Sequence, residues 1–444
     1  MPLTESPSQP NTRSVQSDPP RLQIKQRELG RFRDTQSGPT LVVIGGVHGN
    51  EPAGLIAGQR VLDHLQSVDA HAFQGQFVLL AGNMSALNDH DPDSRYIDHD
   101  LNRLCLDAHF AEPSTTSAEH QEMHELFSVL ESIQHAASNA DQEMIVLDLH
   151  TTSSNSRPVV VFEDSLAARS HAMRMPCPKY LGIEEEIDGL VIDAVTNRLG
   201  CVSYLVEGGQ HEDPRSIDVH EAAIWIALDS AGIYPIAQSP GDPGAVIRKA
   251  AMDREGVVYD VRHREPILDE SFTICNDIFN GTHAIAEKTV LAIQSGQPVH
   301  SPITGLIFLP NMQTHKRIGD DGFFIVRRIS PGWVNLSARL RRKHWVHRMI
   351  LLMPGVYQGE SSTLLVDADL ACVLRRQVFH LLGYRLVRHD GREGGTGVVR
   401  FFKGIGAFCK AIVRGPIRGQ YGDGPDPSDP RFWIVARRRL DQPI

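Results

Sequence analysis

The chain of 444 residues is 41% hydrophobic and 22% charged, and its formal net charge at pH 7 is −10. These proportions are those of an ordinary globular protein and exclude a collagen-like or low-complexity chain. No run of about 18 apolar residues occurs, so the sequence predicts no transmembrane helix. The six cysteines form no Cys-x-x-Cys pair, which argues against a disulfide framework or a zinc ribbon and predicts a cytoplasmic protein.

The amino-terminal residues 1–20 are rich in Ser, Pro and Gln and contain no apolar core, which predicts a disordered tail and no signal peptide. Residues 21–244 alternate short runs of Val, Ile and Leu with helical patterns. This alternation is typical of an α/β domain, in which helices flank a sheet. The expected strands lie near residues 41–46, 77–81, 144–149, 158–162 and 203–207.

Capping residues predict where two helices of this domain begin. Thr116 and Glu119 resemble a capping box and precede a stripe of apolar residues with helical spacing. Ser216 is expected to cap a second helix, which ends near Gly232.

The pattern changes after residue 245. Residues 245–330 contain short β runs broken by Gly and Pro, which predicts a small β subdomain. Residues 331–444 form an extension that we expect to be α+β, with a helix over 370–382 and strand-like runs at 384–388 and 432–436.

Charge divides the chain at the start of this extension. Residues 331–444 contain 19 Lys and Arg against 9 Asp and Glu, a net charge of +10, whereas residues 1–330 contain 25 against 45, a net charge of −20. The densest basic clusters are residues 341–345 and 437–439. We interpret the extension as a basic surface docked on an acidic domain, and binding of nucleic acid is the alternative.

Polar residues stand at the ends of three predicted strands. His48 and Glu51 follow the first of them, His150 follows another, and Glu207 follows a third. In open α/β sheets, ligands bind beyond the carboxyl ends of the strands. We therefore expect these four side chains to meet in one site.

The chemistry of this set fits zinc. A catalytic zinc commonly takes two histidines and one carboxylate and keeps a position for water, whose pKa falls to about 7. His48, Glu51 and His150 supply such a set for one zinc ion per chain, and Glu207 is placed to act as the base. Asp148 shares a strand face with His150, so we expect it to orient that imidazole.

A second polar segment contains two arginines. Arg95, Asn102 and Arg103 lie within nine residues, in a stretch too polar to be core. Arginine binds carboxylates through paired hydrogen bonds and stabilises a developing oxyanion. A solvated loop, with ion pairs to Asp98 and Asp100, is the alternative.

Taken together, these motifs resemble the succinylglutamate desuccinylase/aspartoacylase family over about residues 38–330. The matching segments are His48-Gly49-Asn50-Glu51, Arg95-Tyr96-Ile97-Asp98, Asp100-Leu101-Asn102-Arg103, Asp148-Leu149-His150-Thr151-Thr152 and Val206-Glu207-Gly208. The resemblance implies a zinc carboxypeptidase-like fold with a mixed sheet. The extension from residue 331 lies outside it.

The resemblance also implies individual roles for the catalytic residues. His48, Glu51 and His150 would bind zinc, and Glu207 would be the general base and acid. Arg95 would polarise the scissile carbonyl.

Further residues are implied in substrate binding. Asn102 and Arg103 would hold the amino-acid part of the substrate, together with Arg198. Aspartoacylases carry a substrate-contacting tyrosine in their second subdomain, but residues 260–356 contain no Tyr. The corresponding stretch is 309–316, so the residue that replaces this tyrosine is open.

Within the family, Arg95-Tyr96-Ile97-Asp98 and the run from Thr151 to Asn155 resemble aspartoacylase more than succinylglutamate desuccinylase. The sequence thus predicts a zinc-dependent amidohydrolase that removes the acyl group from an N-acyl amino acid, with an acidic amino acid expected. The alternatives are deacylation of an N-acetyl diamino acid or of N-succinylglutamate, a zinc carboxypeptidase, and a non-enzymatic binding module. Homo-oligomers are left open.

Overall fold

The computed structural model describes residues 23–33, 37–67, 72–252, 254–275, 284–313, 316–358, 363–367, 375–386 and 432–437. Its strands are β1 (Glu28–Arg33), β2 (Thr40–Gly45), β3 (Gln76–Ala81), β4 (Met144–Thr152), β5 (Val159–Val161), β6 (Lys179–Leu181), β7 (Val202–Gln210), β8 (Val258–Pro266), β9 (Thr273–Ile274), β10 (Ala284–Ile285), β11 (Val290–Gln294), β12 (Gln297–His300), β13 (Gly305–Phe308), β14 (Asp321–Ile329), β15 (Val356–Gln358), β16 (Thr363–Asp367), β17 (Tyr384–Leu386) and β18 (Phe432–Arg437).

The helices are α1 (Ala53–Ser67), α2 (Met84–Leu87), α3 (Leu101–Leu104), α4 (Asp107–Phe110), α5 (Ala118–Asn139), α6 (Leu166–Ala172), α7 (Val191–Ala194), α8 (Arg215–Ser230), α9 (Pro243–Ala250), α10 (Pro331–Arg341), α11 (His344–Ile350) and α12 (Arg375–Leu381). A π-helical turn, Val195–Leu199, and two 3-10 turns, Ile183–Glu185 and Ile236–Gln238, complete the helical segments.

A mixed sheet of eleven strands forms the centre of the fold, in the order β1-β3-β2-β4-β7-β5-β6-β8-β14-β13-β10. Strands β3, β2, β4 and β7 run parallel to one another, so their carboxyl ends lie at the same edge. Two smaller sheets, β12-β11-β9 and β15-β16-β18-β17, lie beside it in the chain's second half. The predicted α/β fold with a mixed sheet, a β region and an α+β extension is confirmed.

Helices cover both faces of the parallel part because alternate residues of each strand point to opposite sides. Leu41 and Val43 of β2 belong to the core that α1 and α8 cover. Val42 and Ile44 belong to the core that α5 covers. All six residues of β2 are buried, which explains why its sequence is a continuous apolar run.

The five predicted strands of the α/β domain are present as β2 to β5 and β7, but the predicted caps are wrong by one or two residues. The N-cap of α5 is Ser117, whose side chain accepts a hydrogen bond from the backbone of His120. Helix α8 begins after Pro214, and Ser216 lies buried within its first turn. Gly232 follows α8 with a φ of +70°, in the left-handed region that favours glycine.

The predicted β runs after residue 245 are also present. Strands β8, β14 and β13 continue the central sheet, because β8 pairs in parallel with β6. Hydrogen bonding therefore crosses the boundary that the sequence places at residue 245, and the limits of the domains remain a prediction. In the extension, α12 and β17 fall within the predicted helix and strand, and β18 extends one residue beyond the predicted 432–436, while residues 387–431 lie outside the described part.

A buried ion cluster joins the extension to the α/β part. The carboxylate of Asp164 lies 2.6 Å from guanidinium nitrogens of Arg169, Arg341 and Arg385. Although burial opposes ionisation, these arginines hold the pKa of Asp164 well below its usual range. Arg385 also lies 3.2 Å from Asp260, at the start of β8. Part of the basic charge of the extension is thus used in docking.

We expect Arg341→Met to lower the free energy of unfolding by about 3 kcal/mol. Breaking a buried ion pair costs about 3–5 kcal/mol, and the lower value applies because Asp164 keeps Arg169 and Arg385. Denaturant unfolding measures this change. Arg342→Met is the matched control, since the neighbouring Arg342 is exposed and should change stability little. Equal stability of the two variants would contradict the role of the cluster.

Within the described ranges, no helix is long and apolar enough to cross a membrane. Cys105, Cys177, Cys201 and Cys275 are free thiols, and the other two cysteines lie outside those ranges.

Candidate active site

Three potential metal ligands converge beyond the carboxyl ends of β2 and β4. His48 and Glu51 lie between β2 and α1, and His150 lies in β4. All three are buried, and one ligand atom from each lies within 4.8 Å of the others. Although burial opposes ionisation, His48 and His150 hold the pKa of Glu51 well below its usual range. Two imidazoles and one ionised carboxylate make a donor set that fits zinc.

The two imidazoles are oriented by other carboxylates. Nδ1 of His48 lies 2.9 Å and Nδ1 of His150 lies 3.1 Å from the oxygens of Glu51. Nε2 of His48 faces Asp100 at 3.2 Å, and Nε2 of His150 faces Asp148 at 2.9 Å. An Nε2–H that donates to these carboxylates leaves the Nδ1 lone pairs directed at the common centre. Asp148 thus has the geometry that its predicted role needs, whereas the sequence analysis missed the contact of Asp100.

Gly49 permits a close approach of two loops at this centre. Its backbone N–H donates to the carbonyl of Arg95 at 2.9 Å. A Cβ at this position would lie 2.5 Å from the carbonyl oxygen of Ala86, so no larger residue fits without a shift. The loop of metal ligands is therefore tied directly to the loop of Arg95.

Glu207 lies beside the potential metal ligands and is buried. It lies in β7 directly opposite His150 of β4 and lines the same cavity. Burial raises the pKa of its carboxyl to about 8. Its Oε2 atom is buried and makes no hydrogen bond to any described residue. A cation bound nearby would lower this pKa and favour the carboxylate.

Arg95 lies beside the metal ligands. Its two terminal nitrogens lie 3.2 Å from Oε1 of Glu51 and 3.2 Å from Oδ2 of Asp100. Although burial opposes the charge, these carboxylates raise the pKa of Arg95 above its usual value. The guanidinium therefore stays charged, and it faces the cavity shared with Glu207.

Glu119 anchors the loop that carries Arg95. Its carboxylate accepts hydrogen bonds from three consecutive backbone N–H groups, those of Ile97, Asp98 and His99, at 2.7, 2.9 and 3.0 Å. It also accepts one from the side chain of Asn83 at 3.2 Å. The sequence analysis assigned Glu119 to a helix cap and missed this function, because its partners lie about 20 residues away.

We expect Glu119→Gln to lower kcat by up to about a hundredfold, because an amide nitrogen cannot accept these hydrogen bonds and a shift of about 1 Å can cost that much. Bound metal should be unchanged, because Glu119 is not a ligand. Activity and metal content are measured side by side. Glu125→Gln, an exposed position on the same helix, is the control. A parallel loss of metal in Glu119→Gln would show that the variant disturbs the fold instead.

Asn102 and Arg103 line the same cavity. Asn102 is buried, and its side-chain oxygen accepts a hydrogen bond from the backbone of Val191 at 2.9 Å. Arg103 donates to the carbonyl of Asn102 at 2.6 Å and forms an ion pair with Asp321 of β14. The structure therefore brings both predicted substrate residues to the site.

Arg198 is placed elsewhere. It lies 2.7 Å from the carboxylate of Asp107, and its guanidinium stacks on the ring of Phe110 at 3.9 Å. It does not line the cavity that contains Glu207. We therefore leave Arg198 out of the substrate site. The sequence could not show this, because spacing along the chain does not tell which way a side chain of the π-helical turn points.

His211 is a cavity residue that the sequence analysis missed. Its Nδ1 lies 2.7 Å from the hydroxyl of Thr151, and its Nε2 has no partner among the described residues. Burial lowers its pKa, so the ring is neutral at pH 7. Its position four residues after Glu207 is the sequence signal that points to it.

The cavity extends to the segment 309–316, for which the sequence analysis left the replacement of the aspartoacylase tyrosine open. Leu309, Pro310, Asn311 and Gln313 of this segment line it. The other apolar lining residues are Ile183, Ile187, Leu190, Leu205 and Phe324.

Comparison with known proteins agrees with this arrangement. Residues 37–184 match the model of the succinylglutamate desuccinylase/aspartoacylase catalytic domain. Comparison with curated proteins finds no match.

Solved structures share the fold at low sequence identity. A succinylglutamate desuccinylase from Vibrio cholerae is 17% identical, with a TM-score of 0.51 over 66% of this chain and 83% of its own. A succinylglutamate desuccinylase/aspartoacylase from Rhodobacter sphaeroides is 19% identical, with a TM-score of 0.49 over 66% and 87%. The ectoine utilization protein EutE (DoeB) from Ruegeria pomeroyi is 17% identical, with a TM-score of 0.48 over 67% and 87%.

Proposed function

We propose that this protein is a zinc-dependent deacylase of N-acyl amino acids, because residues 37–184 match the model of the succinylglutamate desuccinylase/aspartoacylase catalytic domain. The observation that carries the proposal is the shared cavity. It holds a buried set of three potential zinc ligands, the partly unpaired carboxylate of Glu207 and the charged guanidinium of Arg95. A metal site without catalysis would not need the last two groups.

His48, Glu51 and His150 would hold the zinc ion. Bound there, zinc would supply a Lewis acid that polarises a carbonyl and lowers the pKa of water to about 7. Asp100 and Asp148 keep the two imidazoles in the tautomer that this role requires.

Glu207 moves the proton of the reaction. As a water oxygen bonds to the amide carbonyl carbon, the free Oε2 of Glu207 takes a proton from that water. The same carboxyl then gives the proton to the amide nitrogen as the carbon–nitrogen bond breaks. Arg95 donates hydrogen bonds to the carbonyl oxygen, where negative charge develops. The products are a carboxylate and a free amine.

Asn102 and Arg103 would position the amino-acid part. The buried amide of Asn102 is fixed by Val191, so it is preorganised to contact the substrate. Arg103 would bind the α-carboxylate, since a guanidinium has more donors than its present contacts use.

Two substrate subclasses follow from different observations. The sequence resemblance to aspartoacylase favours an acidic amino acid. The two carboxylates Asp320 and Asp321, which line the cavity, favour an amino acid without a second carboxylate. N-acetyl diamino acids belong to the second subclass.

Amine release from a panel of N-acetyl and N-succinyl amino acids, by zinc-loaded protein, tests the proposed function. Turnover of one or more of these amides, lost in Glu207→Gln, would support it. Zinc binding without turnover of any amide would contradict the deacylase. Release of carboxyl-terminal residues from peptides alone would favour the zinc carboxypeptidase alternative.

A further inference from the structure

A carboxylate of the protein itself forms an ion pair with Arg103, the predicted substrate-binding arginine. Asp321, the first residue of β14, lies between two guanidinium groups: one oxygen accepts from Arg103 and the other from Arg264 of β8. Arg264 also donates to the carbonyl of Gly319 at 2.7 Å, which holds it in this position. The three side chains are partly buried, with 18–25% of each exposed.

Asp321 faces the cavity, whereas Arg264 does not line it. Asp320, the preceding residue, also lines the cavity, but its carboxylate has other partners. It accepts from the hydroxyl of Tyr96 at 3.0 Å and from the backbone of Arg317 at 3.0 Å. Near Arg103 the cavity wall thus carries two carboxylates: Asp321, which is paired with two guanidinium groups, and Asp320, which is held by a hydroxyl and a backbone N–H.

The wall near β14 also carries apolar side chains, beside the amides of Asn311 and Gln313. Phe324 follows Asp321 on the same strand, and Leu309 enters from the loop after β13. Ile183, Ile187 and Leu190 line the cavity from the segment between β6 and α7. Such a surface accepts an uncharged group, and its apolar and amide side chains give a carboxylate no counter-ion.

We propose that Asp321 excludes a second carboxylate from the substrate, so that the enzyme takes N-acyl amino acids whose side chain carries no negative charge. Arg103 can bind one carboxylate while it stays paired with Asp321, but a second negative charge would meet Asp321 in a partly buried site. The placing of like charges against an unwanted ligand is a common device of specificity. This inference rests on the proposed function and names its substrate class.

N-acetylglutamine and N-acetylglutamate test the inference, because they have nearly the same shape and differ by one charge. We expect the wild-type protein to have the larger kcat/KM for N-acetylglutamine. Asp321→Asn should reduce this preference by about tenfold or more, corresponding to a change of about 1.4 kcal/mol in selectivity. A longer apolar side chain, as in N-acetylmethionine, should be accepted by both proteins.

Two further variants separate charge from loss of structure. Arg264→Gln should increase the preference for N-acetylglutamine, opposite in sign to Asp321→Asn, because Asp321 then loses a neutralising partner. Asp320→Asn removes the same charge one residue away and should shift the preference much less, because Asp320 does not contact Arg103. A shift of the same sign in Asp321→Asn and Arg264→Gln would overturn the proposal, as would an equal effect of Asp320→Asn.

Binding is measured by calorimetry as well as turnover, with both amides and the zinc-loaded Glu207→Gln variant as the background. A preference for N-acetylglutamine in binding that Asp321→Asn reduces would support the inference even if no amide were hydrolysed, in which case the proposed function alone fails. A preference of the wild-type protein for N-acetylglutamate, in either measurement, would overturn the inference but would not contradict the proposed deacylase activity.

Discussion

Glu207→Gln is expected to keep its metal and to lose most of its turnover, by about a hundredfold to ten-thousandfold in kcat. Gln has the size of Glu but cannot take a proton from water or return it to the leaving amine. Its packing between β4 and the cavity should be preserved, because the buried Oε2 makes no hydrogen bond to described residues. The measurement is amine release at saturating substrate, together with the zinc content of the variant.

Glu212→Gln is the matched control, since Glu212 is an exposed carboxylate just after the same strand. It should retain the activity of the wild-type protein. Full activity of Glu207→Gln would refute the assignment of the base. Loss of zinc together with activity would place Glu207 among the ligands instead.

Removal of the metal should have a comparable effect. After chelation the protein should lose activity, and added zinc should restore it. His150→Ala should bind zinc more than about a hundredfold more weakly, because loss of an outer-shell partner alone already costs about 10–100-fold. The readout is zinc bound per chain after dialysis, with a value of one expected for the wild-type protein.

His300→Ala, which changes an exposed histidine on β12, is the control for this experiment. It should bind one zinc per chain. The zinc content of Asp148→Asn should lie between that of His150→Ala and that of the wild type, because Asp148 acts only through the imidazole of His150. Undiminished zinc in His150→Ala would show that the metal, if any, binds elsewhere.

The strands of the central sheet were predictable because a buried parallel strand is apolar along its whole length. Each such run ends where the chain reaches the edge of the sheet. His48, His150 and Glu207 could therefore be placed together before any contact was known. The identity of the donor atoms then points to zinc without further structural information.

Helix caps were less predictable, and Glu119 shows why. Its spacing from Thr116 is that of a capping box, but the carboxylate bonds to the loop of Arg95 instead. A local sequence pattern does not predict a hydrogen-bond partner that lies in another part of the chain. Arg198 has the same problem, since its ion pair with Asp107 depends on how the π-helical turn packs.

The sequence by itself determined the class of fold, the candidate metal ligands, the candidate base and the arginine loop, because each of these is recorded in the order of residues along one strand or loop. Only the tertiary structure decided which charges meet. Asp321 reaches Arg103 across 218 residues, and Asp164 reaches Arg341 across 177 residues. Ion pairs of this kind depend on distances of a few ångströms between separate elements, and no periodicity in the sequence encodes those distances.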